Sequence, residues 1–306
     1  MHRFKLDKDH ILSNQDWTFP TFTAYGPGRF KEIGKFCNYF NISNPQIVTD
    51  SGSIKLPFIS ELSNLLLDAK VNSNIYSNIS PNPRDDEIDG GCKKFKGGNH
   101  DAIIAIGGGS AMDGGKAISL TVNSNIPLWD FEFEQKPVDL KGKNPFPKII
   151  TIPTTAGTGA ETEITAMVTH VEKGMKFCLW HPDARPCLAL VDPELTLKLP
   201  SNLTAWTGID AMIHAIEGYS VPMFHPLCDG SALESLSLIS KSLYLAVEEP
   251  DNLLARGGMI VGSYLGGVAF LKGLGLVHAI SHMVGAEYNT HHLSLIHISE
   301  PTRLPG

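Results

Sequence analysis

Up to Pro200 the chain alternates short apolar blocks with stretches of helical periodicity. Gln46–Asp50 (QIVTD), Asp101–Ile106 (DAIIAI), Lys148–Ile152 (KIITI) and Cys187–Val191 (CLALV) are apolar, β-rich runs, and a helical pattern covers Phe58–Ala69 between the first two. Runs this short and this continuous mark strands buried on both faces. Their alternation with helices predicts a parallel sheet covered on both sides. After Pro200 no strand pattern is found. Ser201 is placed to cap a helix starting near Leu203, and further helices are predicted over Asp229–Val247, Asp251–Phe270 and Leu276–Tyr288. The pattern therefore predicts an α/β domain over 1–197 and an all-helical domain over 198–292. Leu293–Arg303 (LSLIHISEPTR) matches the translation of a sequencing-library adapter, so 293–306 is read as an artefactual tail.

Composition narrows the class. At 42% hydrophobic and 19% charged, the 306 residues suit a soluble globular enzyme. A net charge of −7 without a basic stripe argues against nucleic acid as a partner. Cys37, Cys92, Cys178, Cys187 and Cys228 are odd in number and form no CxxC pair, which predicts free thiols in a reducing, cytoplasmic compartment. The N-terminus has no apolar signal core, and the apolar stretches are broken by Gly, Lys or His, so no membrane span is expected.

Two loops follow predicted strands. Ile104–Lys116 reads IAIGGGSAMDGGK, where glycines let backbone N–H groups approach a ligand and the next helix adds its positive end. Both features suit a pyrophosphate. Pro153–Glu161 (PTTAGTGAE) is a polar, flexible loop at the strand edge where open α/β sheets bind ligands. Asp50, at a third strand end, suits ribose hydroxyls or, with Ser51 and Gly52 following, the capping of a turn.

The helical half carries a different constellation. Asp210 and His214 in GIDAMIHAIEGY are spaced i, i+4 and share a helix face. His278, His282, His291 and His292 follow in GLVHAISHMVGAEYNTHH. One carboxylate with imidazoles from separate helices suits zinc or ferrous iron. Spacing does not choose among the four histidines, although the i, i+4 pair His278 and His282 is the simplest guess.

GGGSAMDGGKA, PTTAGTGAE, GIDAMIHAIEGY and GLGLVHAISHMVGAEYN, with the shorter GPG, PNP and LVDP, together resemble the iron-containing (group III) alcohol dehydrogenases from about Tyr25 to His292. The resemblance implies a Rossmann-like N-terminal domain, an all-helical C-terminal domain and a cleft between them, in the architecture shared with dehydroquinate synthase. It implies metal ligation by Asp210, His214, His278 and His292, with His282 as a proton relay. Its nucleotide contacts fall on Asp50, Asn82, Gly108, Gly109, Ser110, Thr154, Thr155, Thr158 and Lys176. Asp50 favours NAD over NADP. The implied reaction is hydride transfer between NAD(H) and a small primary alcohol or aldehyde, with Fe2+ or Zn2+, in a homo-oligomer. Ala160–Glu163 and Val268–Lys272 are the segments expected to line the substrate pocket. His291 stands where many members have proline, and members continue through further helices. The alternatives are a glycerol dehydrogenase, a dehydroquinate synthase-like enzyme, or a nucleotide-binding fragment without turnover.

Overall fold

The computed structural model describes residues 15–17 and 21–288. They form two compact units: an α/β unit of Gln15–Pro153 with Ile164–Asp192, and a helical unit of Thr154–Glu163 with the chain from Pro193 onward. The sequence pattern set the division at 197/198. In the structure it falls after Asp192, and the Thr-rich segment Thr154–Glu163 groups with the helices.

In the α/β unit the strands are β1 (Gln15–Trp17), β2 (Thr23–Tyr25), β3 (Pro45–Val48), β4 (Asn74–Tyr76), β5 (Ala102–Gly107), β6 (Lys148–Pro153) and β9 (Leu188–Val191). They lie in the order β1-β2-β9-β6-β5-β3-β4. Only the β1–β2 pair is antiparallel. Ile104 of β5 sits between Ile47 and Ile150 in register, and every residue of β5 is buried. A strand covered on both faces has no polar positions to alternate with, which is why these runs are continuously apolar.

Helices α1 (Ile33–Tyr39), α2 (Pro57–Asp68), α3 (Asp85–Gly97) and α4 (Gly109–Val122) connect or flank the strands. α2 starts with Pro57 in its first turn, where a missing N–H costs nothing, and buries Ile59, Leu62 and Leu66 along one stripe. The chain leaves β3 outward to β4, then returns to β5 on the other side of β3. The carboxyl ends of β3 and β5 therefore form a topological switch point, the place where such sheets bind ligands. A separate antiparallel hairpin, β7 (Ala166–His170) and β8 (Met175–Leu179), was not anticipated.

The helical unit contains α5 (Ser201–Ser220), α6 (Pro226–Glu248), α7 (Leu253–Ala269) and α8 (Leu276–Tyr288). The residue that caps α5 is Pro200, not Ser201, which is already helical; no side chain caps this end. α6 starts at Pro226, earlier than predicted, with the ring of His225 accepting from Cys228 N at 3.3 Å. α7 opens on Asn252, whose side chain accepts from Ala255 N at 3.0 Å.

Leu253–Lys272 is long and apolar enough to cross a membrane, but 72% of that stretch is buried inside the protein, as for a core helix. Arg256 is buried in it and reaches Thr204 Oγ1 at 2.7 Å, Pro250 O at 3.0 Å and Leu199 O at 3.3 Å, tying α7 to the start of α5. The five cysteines are free, as expected, and burial pushes the Cys37 and Cys187 thiols up to about 12.

Two glycines let the Thr154–Glu163 segment lie directly on α7. Gly159 has φ +63°, and a Cβ on Gly267 would sit 2.6 Å from Gly159 O. Thr162 Oγ1 donates to Gly159 O at 2.8 Å, closing the turn. Gly267→Ala should therefore destabilise the protein by about 1–3 kcal/mol in a urea titration. The control is Gly230→Ala on α6, where an added methyl meets nothing within 4 Å. It should be neutral or stabilising by up to ~1 kcal/mol through helix propensity. Equal effects of the two substitutions would refute the close-approach account.

Candidate metal centre and nucleotide-binding edge

Along α5, Asp210, His214 and Glu217 follow an i, i+4, i+7 row, so all three side chains leave one face of the helix. The first turn of α8 brings His278 to them. Asp210 Oδ1 lies 3.9 Å from His214 Nε2 and 3.4 Å from His278 Nε2. The two imidazoles stack with centroids 4.2 Å apart. All three side chains are buried, Asp210 fully, and one ligand atom from each lies within 4.8 Å of the others.

The outer nitrogens of both rings are held. His214 Nδ1 faces Gly157 O at 3.3 Å, and His278 Nδ1 faces Glu217 Oε2 at 2.5 Å. A carbonyl and a carboxylate are acceptors, so each Nδ1 carries the proton and each Nε2 is the atom turned toward Asp210. Gly157 can approach because it lacks a side chain: a Cβ there would sit 2.7 Å from Thr207 Cβ on α5. The PTTAGTGAE loop, read from sequence as a nucleotide loop, thus also backs one imidazole of this cluster.

Electrostatics point the same way. Burial opposes a charge on His278, but hydrogen bonds and charge from Asp210 and Glu217 outweigh it and hold the imidazole up to about 9. Burial would raise Glu217, yet the bonds from His278 and from the backbone at Gly275 and Val277 keep its carboxyl below the ordinary value. Two carboxylates converging on one ring create an excess of negative charge that a bound cation would balance.

Other expected residues are distributed as follows. His282 is half-buried, its ring edge-on to His278 with centroids 5.9 Å apart. His291 and His292 lie outside the described residues. Glu161 and Glu163 are buried in the helical unit. Lys272 is buried too, but it is held by Asp229 Oδ1 at 2.5 Å and Tyr219 O at 3.5 Å, a strut between helices. Glu217 was not selected from sequence. Its only signal was its place as the i+7 member of the Asp210 row.

At the switch point of the α/β unit, Asp50, Asn82 and Gly108–Ser110 follow the carboxyl ends of β3, β4 and β5. Gly107 has φ +144°, and a Cβ there would sit 2.8 Å from Ala111 Cβ and 2.9 Å from Asp50 Oδ2. Only glycine allows this turn, and it sets the carboxylate of Asp50 beside the glycine loop. Asp50 accepts from Gly52 N at 3.0 Å, Ser53 N at 2.9 Å and Ser53 Oγ at 2.7 Å, so it also caps the following turn. Ser110 Oγ donates to Pro81 O at 2.8 Å, linking the β4 and β5 loops. No side chain caps the start of α4, which leaves its first N–H groups to face a ligand.

Lys176 is half-buried on β8. Burial lowers its pKa, opposed by Asp113, whose own carboxyl burial raises. Thr154, Thr155 and Thr158 belong to the helical unit, where Thr158 Oγ1 accepts from Ala160 N at 3.3 Å.

Sequence comparison decides the family. Residues 20–193 match the profile of the iron-containing alcohol dehydrogenases, and residues 204–302 match that of the C-terminal domain of the same family. The chain belongs to the iron-containing alcohol dehydrogenase family. The second match extends past His292, where the helical domain was expected to end.

Family members with known roles are close enough to align over most of this chain. The NAD-dependent methanol dehydrogenase of Bacillus methanolicus is 35% identical over 274 residues, covering 89% of this chain and 71% of that protein. The crystal structure of a 1,3-propanediol oxidoreductase superposes with a TM-score of 0.85 at 30% identity, covering 93% of this chain and 73% of that one. Sulfoacetaldehyde reductase from Bifidobacterium kashiwanohense, solved in complex with NAD+, gives a TM-score of 0.81 at 30% identity, covering 93% and 74%. The α/β and all-α parts are those of this dehydrogenase fold, as the resemblance implied.

Proposed function

We propose that this family member is an NAD-dependent, metal-assisted dehydrogenase that interconverts a small primary alcohol and its aldehyde. The observation that carries the reading is the buried cluster of Asp210, His214 and His278, with ligand atoms within 4.8 Å of one another. One carboxylate and two imidazoles presented through Nε2 fit ferrous iron or zinc, and the family name favours iron. His292 is proposed as a further ligand on the resemblance. A bound divalent metal supplies Lewis acidity toward the substrate oxygen. A bound nicotinamide would supply or accept the hydride.

The protein's own groups do the remaining work. The α4 N-terminus and the Gly107–Gly109 turn suit a pyrophosphate, and Asp50 beside them suits a ribose diol while repelling a 2′-phosphate. NAD also appears in the names of two relatives, which supports the same preference. Lys176, Asn82, Ser110, Thr154, Thr155 and Thr158 are assigned further nucleotide contacts. His282, one turn beyond His278, is assigned to carry the alcohol proton outward. Free thiols suit a reducing cytoplasm.

Elemental analysis paired with NADH oxidation by short aldehydes tests this directly. About one metal per chain and turnover are expected. Asp210→Asn should lose most of the metal and lower turnover by about 10²-fold or more. His282→Ala should keep the metal and lower kcat by about 10²-fold. Absence of both metal and turnover in the wild type would overturn the reading, and full activity of His282→Ala across pH would remove the relay.

Nucleotide choice is tested separately. Asp50→Ser should raise the ratio of kcat/KM for NADPH over NADH by about tenfold or more, since a charge repelling the 2′-phosphate is gone. An unchanged ratio would leave Asp50 as a turn cap only.

A further inference from the structure

Glu217 makes two contacts that no local feature of its helix requires. Oε2 accepts from His278 Nδ1 at 2.5 Å, and Oε1 accepts from Val277 N at 2.7 Å. Both partners lie in the first turn of α8. The approach to that helix, Lys272-Gly273-Leu274-Gly275, holds no Ser, Thr, Asp or Asn to cap it. A carboxylate arriving from α5 does so instead, satisfying an orphan N–H and placing negative charge at the positive end of the helix.

Gly275 is shaped to this contact. A Cβ there would lie 2.8 Å from Glu217 Oε1 and 3.0 Å from Cδ, so any larger residue would displace the carboxylate. Glu217 is buried along the same α5 face as Asp210 and His214, one turn beyond His214, with its carboxylate on the Nδ1 side of His278 rather than among the converging ligand atoms.

We propose that Glu217 is a positioning residue for the metal centre: it fixes His278 as the Nδ1–H tautomer, aims Nε2 at Asp210, and docks the α8 start that carries the ring. A free imidazole samples two tautomers and many rotamers. The carboxylate fixes the rotamer before a metal arrives and keeps the proton on Nδ1, so that Nε2 is the nitrogen a metal takes on displacing its proton. The energetic link runs through one side chain, so the aim of His278 and the capping of α8 are lost together.

The inference rests on the metal reading above, and its test separates the two. Metal-free protein is titrated with Co2+ against a chromophoric chelator, and the visible spectrum of the bound Co2+ is recorded. Glu217→Ala should weaken Co2+ binding by about 10–100-fold, with a changed spectrum. Glu217→Gln, which keeps an acceptor oxygen but not the charge, should fall between Ala and wild type.

Gly275→Ala should weaken binding when Glu217 is present and change nothing further in the Glu217→Ala background, the non-additivity expected of two residues acting through one contact. If Glu217→Ala fails to fold, Glu217→Gln and Gly275→Ala carry the test alone. Wild-type protein that binds no Co2+ would overturn the metal reading. Wild type that binds while all variants bind equally well would overturn the role of Glu217. Loss of thermal stability in the metal-free variants with unchanged Co2+ affinity would reduce Glu217 to a helix cap.

Discussion

Asp210 is a carboxylate with no exposed surface, and the helical unit is arranged around the cost of keeping it there. An isolated buried charge is expensive by many kcal/mol, so such a group persists only where positive charge or strong donors face it. Here two imidazoles face it through Nε2, and the His278 ring, raised to about 9 by the two carboxylates beside it, brings the positive charge. Their outer nitrogens are fixed by the Gly157 carbonyl and the Glu217 carboxylate. Four separate pieces of chain therefore have to meet: the middle of α5, its later turns, the start of α8 and the Thr154–Glu163 segment. Small residues make the meeting possible. Gly266 and Gly267 on α7 bring that helix against Ala211 and against Gly159, where any Cβ would be tight.

The α/β unit solves a different problem. In the proposed nucleotide site it would hold a polyanion at a sheet edge using backbone groups, beside a turn that only glycine can make at Gly107. The charged device there is Asp50, which is both the cap of its own turn and the neighbour of the glycine loop. The two sequence-based readings of Asp50 are thus compatible: capping fixes the carboxylate in place, which is what a specific contact needs.

The interior of the sheet was legible because strands buried on both faces leave continuous apolar runs, as β3, β5, β6 and β9 do. β4 and the β7–β8 hairpin were not, because half-exposed, polar strands such as Asn74–Tyr76 carry no such run. The cap of α5 was misplaced by one residue, and its start by two, because Ser is the stronger cap by propensity, while the chain gives that position to Pro200. In the site, the Asp210–His214 pair could be read from helical spacing alone. Spacing could not separate His278 from His282, and a family resemblance chose His278. The structure shows the physical difference: His278 is buried against Asp210, whereas His282 meets it only edge-on, one turn away. Glu217 was invisible because its partner is 61 residues distant, and Gly157 because a backbone carbonyl leaves no trace in residue type.

The central claim is that Asp210, His214 and His278 bind one divalent metal through a carboxylate oxygen and two Nε2 atoms. Anomalous diffraction from crystals of zinc- or iron-loaded protein tests it most directly. The account predicts a single strong peak at about 2.0–2.2 Å from the Asp210 carboxylate and from Nε2 of both histidines. A peak elsewhere, coordination through Nδ1, or a loaded protein with no peak among these three side chains would contradict it.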